Sequence, residues 1–417
     1  MIFLRTYKVE LDPNNCQRTA FKRHADGARN VWNWALGECK RDYEEKRLVT
    51  PGGEKVRGAL MPFDLSEKLP IIKTTTHPWL AGVTASTLQQ SLRNLNASYQ
   101  SFFKNVKAGK KPGYPRFKKK GVCRTSFRFS QSVSVKDASI KLPKIGRIRL
   151  KEHGYIPTDR PVKTVTISER TGRWYASVLI EDVEPKMVET TDQVIGIDLG
   201  IKTLAVLSDG TQYENPKHLE ASQQSIKKLS KRFARQKKGS NRRGKTKARL
   251  AEVHARVSSQ RNDAIHKMTT EIVKTKRPLA IVIEDLNVSG MVKNHCLAKA
   301  VSGASFGEAR RQLTYKTKWY GVKLIVADRF YPSSKTCSDC GNVRLVLDLG
   351  TRVYCCDACG LSIDRDLNAS LNLQAYGEQI LTGGTPVTAR RGIVRPLVPS
   401  ALEADLVEAR TDLRVAS

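Results

Sequence analysis

The fold of this 417-residue chain is decided by the stretch Val194-Ile195-Gly196-Ile197-Asp198-Leu199-Gly200-Ile201-Lys202. Its apolar residues are typical of a strand buried on both faces, yet one carboxylate, Asp198, interrupts the run. A second apolar stretch, residues 279–283, is followed directly by Glu284. We therefore predict an α/β sheet that carries acidic side chains at the ends of its strands.

A third acid, Asp366, lies at the start of a predicted helix, where Asp364 is expected to be the N-cap. A buried carboxylate is unfavourable unless it is paired or bound to a metal. A salt bridge or a cap would explain one such acid, but Asp198, Glu284 and Asp366 together would hold two Mg²⁺ or Mn²⁺ ions, which prefer hard oxygen ligands. Two metals about 3.5–4 Å apart support phosphodiester hydrolysis. The weaker candidates are Asp209 and Asp285.

Cysteine spacing predicts a zinc site. Cys337 and Cys340 form one C-x-x-C pair and Cys356 and Cys359 another, with fifteen residues between the pairs and a glycine after each. This spacing fits tetrahedral zinc bound by four thiolates, whereas a redox pair would not occur twice. Such a closed site is structural or contacts nucleic acid, and Cys355 is a spare thiol. We predict a ribbon over residues 328–362, with a hairpin formed by residues 345–347 and 351–354.

Net charge restricts the partners of the chain. It has 73 Lys+Arg against 40 Asp+Glu, a formal net charge of +33. Because this many like charges repel one another in the folded state, we expect a polyanionic partner. Nucleic acid is the first candidate and an anionic membrane surface the second. No segment reaches the ~18 apolar residues of a membrane span, and the N-terminus does not fit a signal peptide. The sequence predicts a cytoplasmic protein with reduced thiols.

The positive charge is densest in residues 104–120 and 227–249. The first segment interleaves basic and aromatic residues, and the second has twelve Lys/Arg and no acid. This composition suits phosphate contact with base stacking, although a charge run is usually a solvated helix face. The candidate nucleic-acid-binding residues here are Lys110, Lys111, Tyr114, Arg116, Lys118, Lys231, Arg232 and Arg235.

The first half, residues 1–185, is predicted to recognise nucleic acid. After an initial strand, a helix starts at Asp12-Pro13 and Gly27 interrupts it, which gives either a helix-turn-helix-like pair or an ordinary helical hairpin. Helices continue to about residue 122, and the alternating pattern of residues 123–181 predicts a small β-barrel or sandwich with a hairpin turn at 169–172.

The second half is predicted as an α/β domain over residues 186–382, with the zinc ribbon inserted in it. Residues 182–193 are polar and contain the predicted linker. Residues 383–417 have no clear period, so we predict a poorly ordered tail.

Several motifs together resemble TnpB, the OrfB-type protein of bacterial insertion sequences that is related to type V CRISPR nucleases. They include the stretch around Asp198, Ile283-Glu284-Asp285-Leu286, Pro332-Ser333-Ser334-Lys335-Thr336-Cys337 and Gly113-Tyr114-Pro115-Arg116-Phe117. The similarity covers about residues 1–380. It implies a multidomain α+β fold, in which a small β-barrel with an inserted helical domain precedes a RuvC-like nuclease domain of RNase H fold.

The resemblance also implies an activity: RNA-guided, Mg²⁺- or Mn²⁺-dependent cleavage of DNA, associated with transposition and recombination. The implied partners are a guide RNA from the transposon end and double-stranded target DNA next to a short motif. It implies a monomer with its RNA, in the cytoplasm of a bacterium near the nucleoid. By motif match, Asp198, Glu284 and Asp366 take the catalytic positions and Gln89 a motif-reading position.

Two other functions stay open from the sequence. A non-cleaving, RNA-guided or simple DNA-binding regulator would not need the three acids. A transposase that joins strands directly would need a His-hydrophobe-His motif with a nucleophilic tyrosine, which we do not find.

Overall fold

The computed structural model describes residues 3–49, 58–130, 132–182, 189–348 and 350–383. The chain divides into two compact units, Met1–Glu184 and Pro185–Ser417. Residues 384–417 of the predicted tail and residues 183–188 of the predicted linker lie outside the described residues. Among the described helices, none combines the length and the apolarity needed to cross a bilayer.

The first unit contains an antiparallel sheet in the order β2-β6-β7-β1-β5-β4-β3. The N-terminal strand β1 lies inside this sheet, because it pairs with β7 from Phe3↔Asp182 to Leu11↔Trp174 and also with β5. Between β6 and β7, Thr171 and Gly172 have φ values of 51° and 78°, the left-handed backbone of a two-residue hairpin turn. The strands are β1 (Phe3–Asp12), β2 (Ser126–Phe129), β3 (Ser134–Lys136), β4 (Ser139–Leu142), β5 (Gly146–Leu150), β6 (Val162–Arg170) and β7 (Arg173–Asp182).

The helices of the first unit are α1 (Asn15–Val49), α2 (Leu69–Thr74) and α3 (Ala85–Lys107). The predicted interruption at Gly27 is wrong: α1 is continuous through it. A Cβ on Gly27 would lie 2.9 Å from Val83 Cγ2 and 3.3 Å from Leu80 Cδ2. The glycine therefore allows close packing of a helix rather than ending it.

The second unit contains a mixed sheet in the order β10-β9-β8-β11-β12. Strands β8, β11 and β12 are parallel, and β9 and β10 add an antiparallel edge. As the sequence predicts, β8 and β11 are buried apolar runs; β8 ends in Asp198, and Glu284 follows β11. The strands are β8 (Val194–Asp198), β9 (Thr203–Leu207), β10 (Gln212–Glu214), β11 (Ala280–Ile283) and β12 (Lys323–Val326).

Helices cover this sheet. Ile265, Met268 and Phe306 pack with the apolar residues of one sheet face, while Leu373 and Tyr376 pack with Val194 and Val282 of the other. A π-helical turn, Glu271–Lys276, extends α6. The helices are α4 (His218–Ala221), α5 (Gln223–Arg235), α6 (Asn241–Thr270), α7 (Val288–Met291), α8 (Ala298–Ala304), α9 (Phe306–Tyr320) and α10 (Arg365–Leu381).

The ribbon precedes α10. Its strands are β13 (Val353–Cys355) and β14 (Ser362–Asp364), which pair with each other. The predicted pairing of residues 345–347 with 351–354 is wrong, because residues 345–347 form no strand and residues 353–355 pair with 362–364. The segment at 353–355 instead pairs with the chain that follows the second cysteine pair.

Candidate active site and metal centre

Strand register brings Asp198 and Glu284 side by side. Ile197 of β8 and Ile283 of β11 are register partners in a parallel pair, and the acids are the next residue on each strand. Adjacent strands lie about 4.8 Å apart, so two acids at the same level begin from neighbouring positions of the sheet edge.

Helix α10 brings the third acid to the same edge. Asp364 caps the helix as predicted, because its Oδ1 accepts hydrogen bonds from the N–H groups of Asp366 and Leu367, both at 3.0 Å. The helix lies directly on β8 at Gly196, where a Cβ would be only 2.0 Å from Ser370 O. A Cβ on Gly200 would lie 3.9 Å from Asp366 Oδ2, so Asp366 borders the loop that follows Asp198.

Electrostatics also join the three carboxyl groups. Burial, followed by the charges of Glu284 and Asp366, raises the pKa of Asp198 well above its usual value. Burial and the charge of Asp364 raise the pKa of Asp366, against the opposing effect of Arg352 and others. Within the described residues, no ion pair joins any of the three acids to a lysine or arginine. Such a cluster of acids favours protons or a metal cation as its counter-charge.

The type of donor suits a hard divalent cation, but the three acids do not form a preset metal cage: within the described residues, only the four cysteines have ligand atoms that all lie within 4.8 Å of one another. All three side chains offer carboxylate oxygens, the ligands that Mg²⁺ and Mn²⁺ prefer, and each is partly exposed, so an ion can enter. Ser333 Oγ donates a hydrogen bond to Glu284 Oε1, which fixes that carboxylate. Sequence reasoning missed Ser333, although it lies in the quoted Pro332–Cys337 motif.

The two weaker acidic candidates are engaged elsewhere. Asp209 accepts a hydrogen bond from Lys276 Nζ at 2.6 Å. Asp285 accepts hydrogen bonds from both Arg310 and Arg329, each at 2.5 Å, and these guanidinium groups lower its pKa. They are ion-pair partners rather than members of the acidic cluster.

The four predicted cysteines converge. The Sγ atoms of Cys337, Cys340, Cys356 and Cys359 all lie within 4.8 Å of one another, with Cys337–Cys359 at 3.6 Å and Cys340–Cys356 at 3.5 Å. Tetrahedral zinc with Zn–S bonds of about 2.3 Å requires sulfurs about 3.8 Å apart, so this set fits the metal. Cys355 is exposed and outside the cluster, as predicted.

Two buried asparagines connect this cluster to the helix that carries Asp366. Asn368 donates to Thr336 O at 2.7 Å and accepts from the N–H of Ser338 at 3.0 Å. Asn372 donates to Thr336 O at 2.7 Å and to Ser333 O at 2.8 Å. The first cysteine pair is thus attached to α10 within two turns of Asp366.

The predicted nucleic-acid residues are distributed over both units, and most are exposed. In the loop after α3, Trp32 Nε1 donates to Arg116 O at 3.0 Å, and Lys118 Nζ lies 3.5 Å from the centroid of the Trp32 ring. Lys118 is therefore partly engaged within the protein. Exposed side chains are those of Gln89 on α3, Lys110, Lys111, Tyr114 and Arg116 in the loop, and Lys231, Arg232 and Arg235 on α5.

The fold and the site define an α/β protein with an acidic cluster at a sheet edge and a four-cysteine centre tied to its last helix. A family model described as "Probable transposase" (OrfB_IS605) matches residues 177–295, and one described as "Cas12f1-like, TNB domain" matches residues 306–373. A third, described as "Helix-turn-helix domain", matches residues 1–47, where this chain has β1 and the continuous α1.

Full-length relatives give the family. A protein of Streptomyces pristinaespiralis named as an RNA-guided DNA endonuclease is 36% identical over 377 residues, 89% of this chain and 89% of its own length. InsQ of Escherichia coli K12, named likewise, is 30% identical over 405 residues, 93% of this chain and 96% of its own. The CRISPR-associated endodeoxyribonuclease Cas12f1 of Sulfoacidibacillus thermotolerans is 23% identical over 219 residues, which are 49% of this chain and 50% of its own length. The chain belongs to the OrfB (TnpB) family of transposon-encoded proteins.

Proposed function

We propose that this protein is an RNA-guided DNA endonuclease. It binds a guide RNA from the end of its transposon and hydrolyses one or both strands of double-stranded DNA beside a short motif. The observation that carries the proposal is the meeting of Asp198, Glu284 and Asp366 at one sheet edge without a basic ion-pair partner among the described residues. The names of two relatives that align along most of the chain support the same activity.

The three acids would hold Mg²⁺ or Mn²⁺. Asp198 would be the central ligand, because the charges of both Glu284 and Asp366 raise the pKa of its carboxyl group. Bound there, the ions would activate a water and stabilise the leaving oxygen of the phosphodiester. The protein contributes orientation: β8 and β11 fix two acids, α10 fixes the third, and Ser333 holds Glu284 through a hydrogen bond. The strand order β10-β9-β8-β11-β12, with antiparallel strands only at one side, supports a RuvC-like assignment within the RNase H fold.

The remaining parts have supporting roles. Zinc at the four cysteines would be structural, because a four-thiolate site has no open coordination position. The exposed basic side chains would bind nucleic-acid backbone without sequence preference, while base pairing with the guide reads the target. Gln89 on α3 would contact the motif beside the target. We propose that residues 1–185 recognise nucleic acid, partly through a small β-barrel. Residues 186–382 would form the domain that cuts DNA, with the ribbon of residues 328–362 inserted in it. The protein would act in the bacterial cytoplasm, at the nucleoid.

The test is cleavage by the protein purified with its co-expressed RNA. A plasmid with the matching target should be cut in the presence of Mg²⁺ and left intact with EDTA, with RNase or with a mismatched target. Asp198→Asn keeps the shape of the side chain but removes a metal-binding charge, so it should abolish cutting while RNA and DNA binding remain.

Asp209→Asn is the matched control, since Asp209 pairs with Lys276 outside the cluster, and it should cut like the wild type. Cutting by Asp198→Asn at the wild-type rate would refute the active-site assignment. RNA-dependent DNA binding without cutting on any matched target would instead favour the regulator, and joined rather than free ends would favour a strand-transfer enzyme.

A further inference from the structure

A large aromatic side chain is exposed beside the acidic edge. Phe330 has 84% of its surface exposed, and it follows strand β12 by only a few residues. A single exposed hydrophobic side chain needs no explanation by itself, but an aromatic ring next to a cation has the composition with which proteins hold nucleic-acid strands. Its position in the loop after a sheet strand is typical of residues that bind ligands.

The turn that presents Phe330 is fixed by the protein. The backbone N–H of Phe330 donates to Asp328 Oδ1 at 2.9 Å, and that of Tyr331 donates to Asp328 O at 3.0 Å. The Asp328 N–H in turn donates to Tyr376 Oη on α10 at 3.2 Å. Tyr331 anchors the far side, because its hydroxyl donates to Asn372 O at 3.0 Å. The exposed ring is therefore carried by a rigid support and loses little freedom on binding.

A held positive charge lies next to the ring. The guanidinium of Arg329 donates to Asp285 Oδ2 at 2.5 Å, yet half of its side chain remains exposed. Glu284, Asp285, Arg329 and Tyr331 also line one depression of about 160 Å³. The turn thus places a cation beside Glu284, and the next residue of the same turn carries the exposed Phe330 ring.

We infer that the Asp328–Tyr331 turn is a seat for a single nucleic-acid strand, on which Phe330 stacks against a base and Arg329 contacts the adjoining phosphate. Aromatic rings and cations are the two elements with which proteins hold single strands irrespective of sequence. Phe330 and Arg329 position the scissile strand, and Asp285 is a positioning residue that acts through Arg329. This inference rests on the proposed function, since the strand it places is the one to be cut.

The experiment is a double-mutant cycle in which substitutions in the protein are combined with modified nucleotides in the DNA. The rate of single-turnover cleavage is measured for each combination. Single abasic nucleotides are scanned along the cleaved strand near the cut. In the wild type, one position should slow cutting by about 5- to 150-fold, the range for losing one stacked base. Phe330→Ala should be slowed similarly and be insensitive to that abasic site, Phe330→Trp should keep the wild-type rate, and Phe330→Leu should not.

Arg329 is tested in the same way with methylphosphonates, which remove one backbone charge. Arg329→Gln should abolish the effect of one methylphosphonate, and Asp285→Asn should slow cutting only while Arg329 is present. Leu345→Ala is the matched control, because Leu345 is 83% exposed on the ribbon, and it should behave like the wild type.

Additive effects of Phe330→Ala and every abasic site, or an unchanged rate in Phe330→Ala, would overturn the inference while the proposed function stands. If the wild type itself does not cut, the proposed function fails, and the inference is then tested by measuring the affinity for a single-stranded oligonucleotide. Phe330→Ala should then bind a single-stranded oligonucleotide at least 5-fold more weakly than the wild type and Leu345→Ala, and equal affinity would overturn it.

Discussion

The packing of α10 on β8 makes Gly196→Ala an informative substitution. The new Cβ would lie 2.0 Å from Ser370 O and 2.6 Å from Gln374 N. An ordinary C···O contact is about 3.3 Å, so the helix must retreat by roughly 1.3 Å. Both obstructing atoms are backbone, so no side-chain rotation can relieve the clash.

This retreat moves Asp366 relative to Asp198, since the acid is one turn before Ser370 on the same helix. A displacement of about 1 Å at a catalytic group costs on the order of 100-fold in rate. Overpacking of this kind also costs about 1–3 kcal/mol of stability. We therefore expect Gly196→Ala to slow single-turnover cleavage by about 100-fold and to lower the melting temperature, while RNA binding by the folded protein is retained.

Two other glycines provide the comparison. A Cβ on Gly307 meets nothing within 4 Å, so Gly307→Ala in α9 should cut normally. Gly377→Ala should have an intermediate effect, because its Cβ would meet the side-chain methyl Val282 Cγ2 at 2.4 Å, and a side chain can yield. Cleavage by Gly196→Ala within threefold of the wild-type rate, at a temperature where it is folded, would refute the role of this contact.

Three further predictions follow from charges and ligands in the second unit. Cys356→Ser should lose zinc, measured by mass spectrometry, and lose most cleavage, because the cysteine centre is tied to α10; full activity without zinc would contradict this. Asp198→Asn should melt higher than the wild type at neutral pH without metal. Burial raises the pKa of the wild-type carboxyl in the folded state, so its contribution to stability is largest below its unfolded pKa and is lost as pH rises through its folded pKa. Equal melting temperatures of the two proteins would contradict this prediction. Burial lowers the pKa of Lys316 from 10.5 to about 8, so the unfolded state binds more protons than the folded state between those pH values. In that range the free energy of unfolding of the wild type should therefore rise with pH relative to that of Lys316→Met. The same pH dependence of unfolding in both proteins would show that the lysine is not perturbed.

The positions of the candidate site residues were predictable because their signals are local. Apolar runs that stop at an acid located Asp198 and Glu284, and a cap followed by a helix pattern located Asp366. The paired C-x-x-C spacing located the cysteine cluster. The positive-φ turn at Thr171-Gly172 was equally local. Their roles in catalysis stay predictions until cleavage is measured.

The rest depended on contacts between distant parts of the chain. Gly27 has the local signature of a helix break, and only Val83 and Leu80, more than fifty residues later, give it another reason. The hydrogen bond from Ser333 to Glu284 joins residues 49 apart, and the pairing of Asp285 with Arg310 and Arg329 spans 25 and 44. No periodicity in the sequence encodes such partners.

The internal position of β1 affects how the protein is made. About 160 residues separate the end of β1 from the start of its partner β7. At roughly 5–20 residues per second, the ribosome needs about 8–32 s to supply that partner. Until then most of β1 has the unpaired backbone of an edge strand, because β5 pairs only with Leu11 and Asp12. Arg5 and Lys8 are the kind of charges that discourage pairing with another chain. The first unit therefore completes its sheet late in its own synthesis, and a ribosome that stops before residue 173 leaves β1 without its long partner.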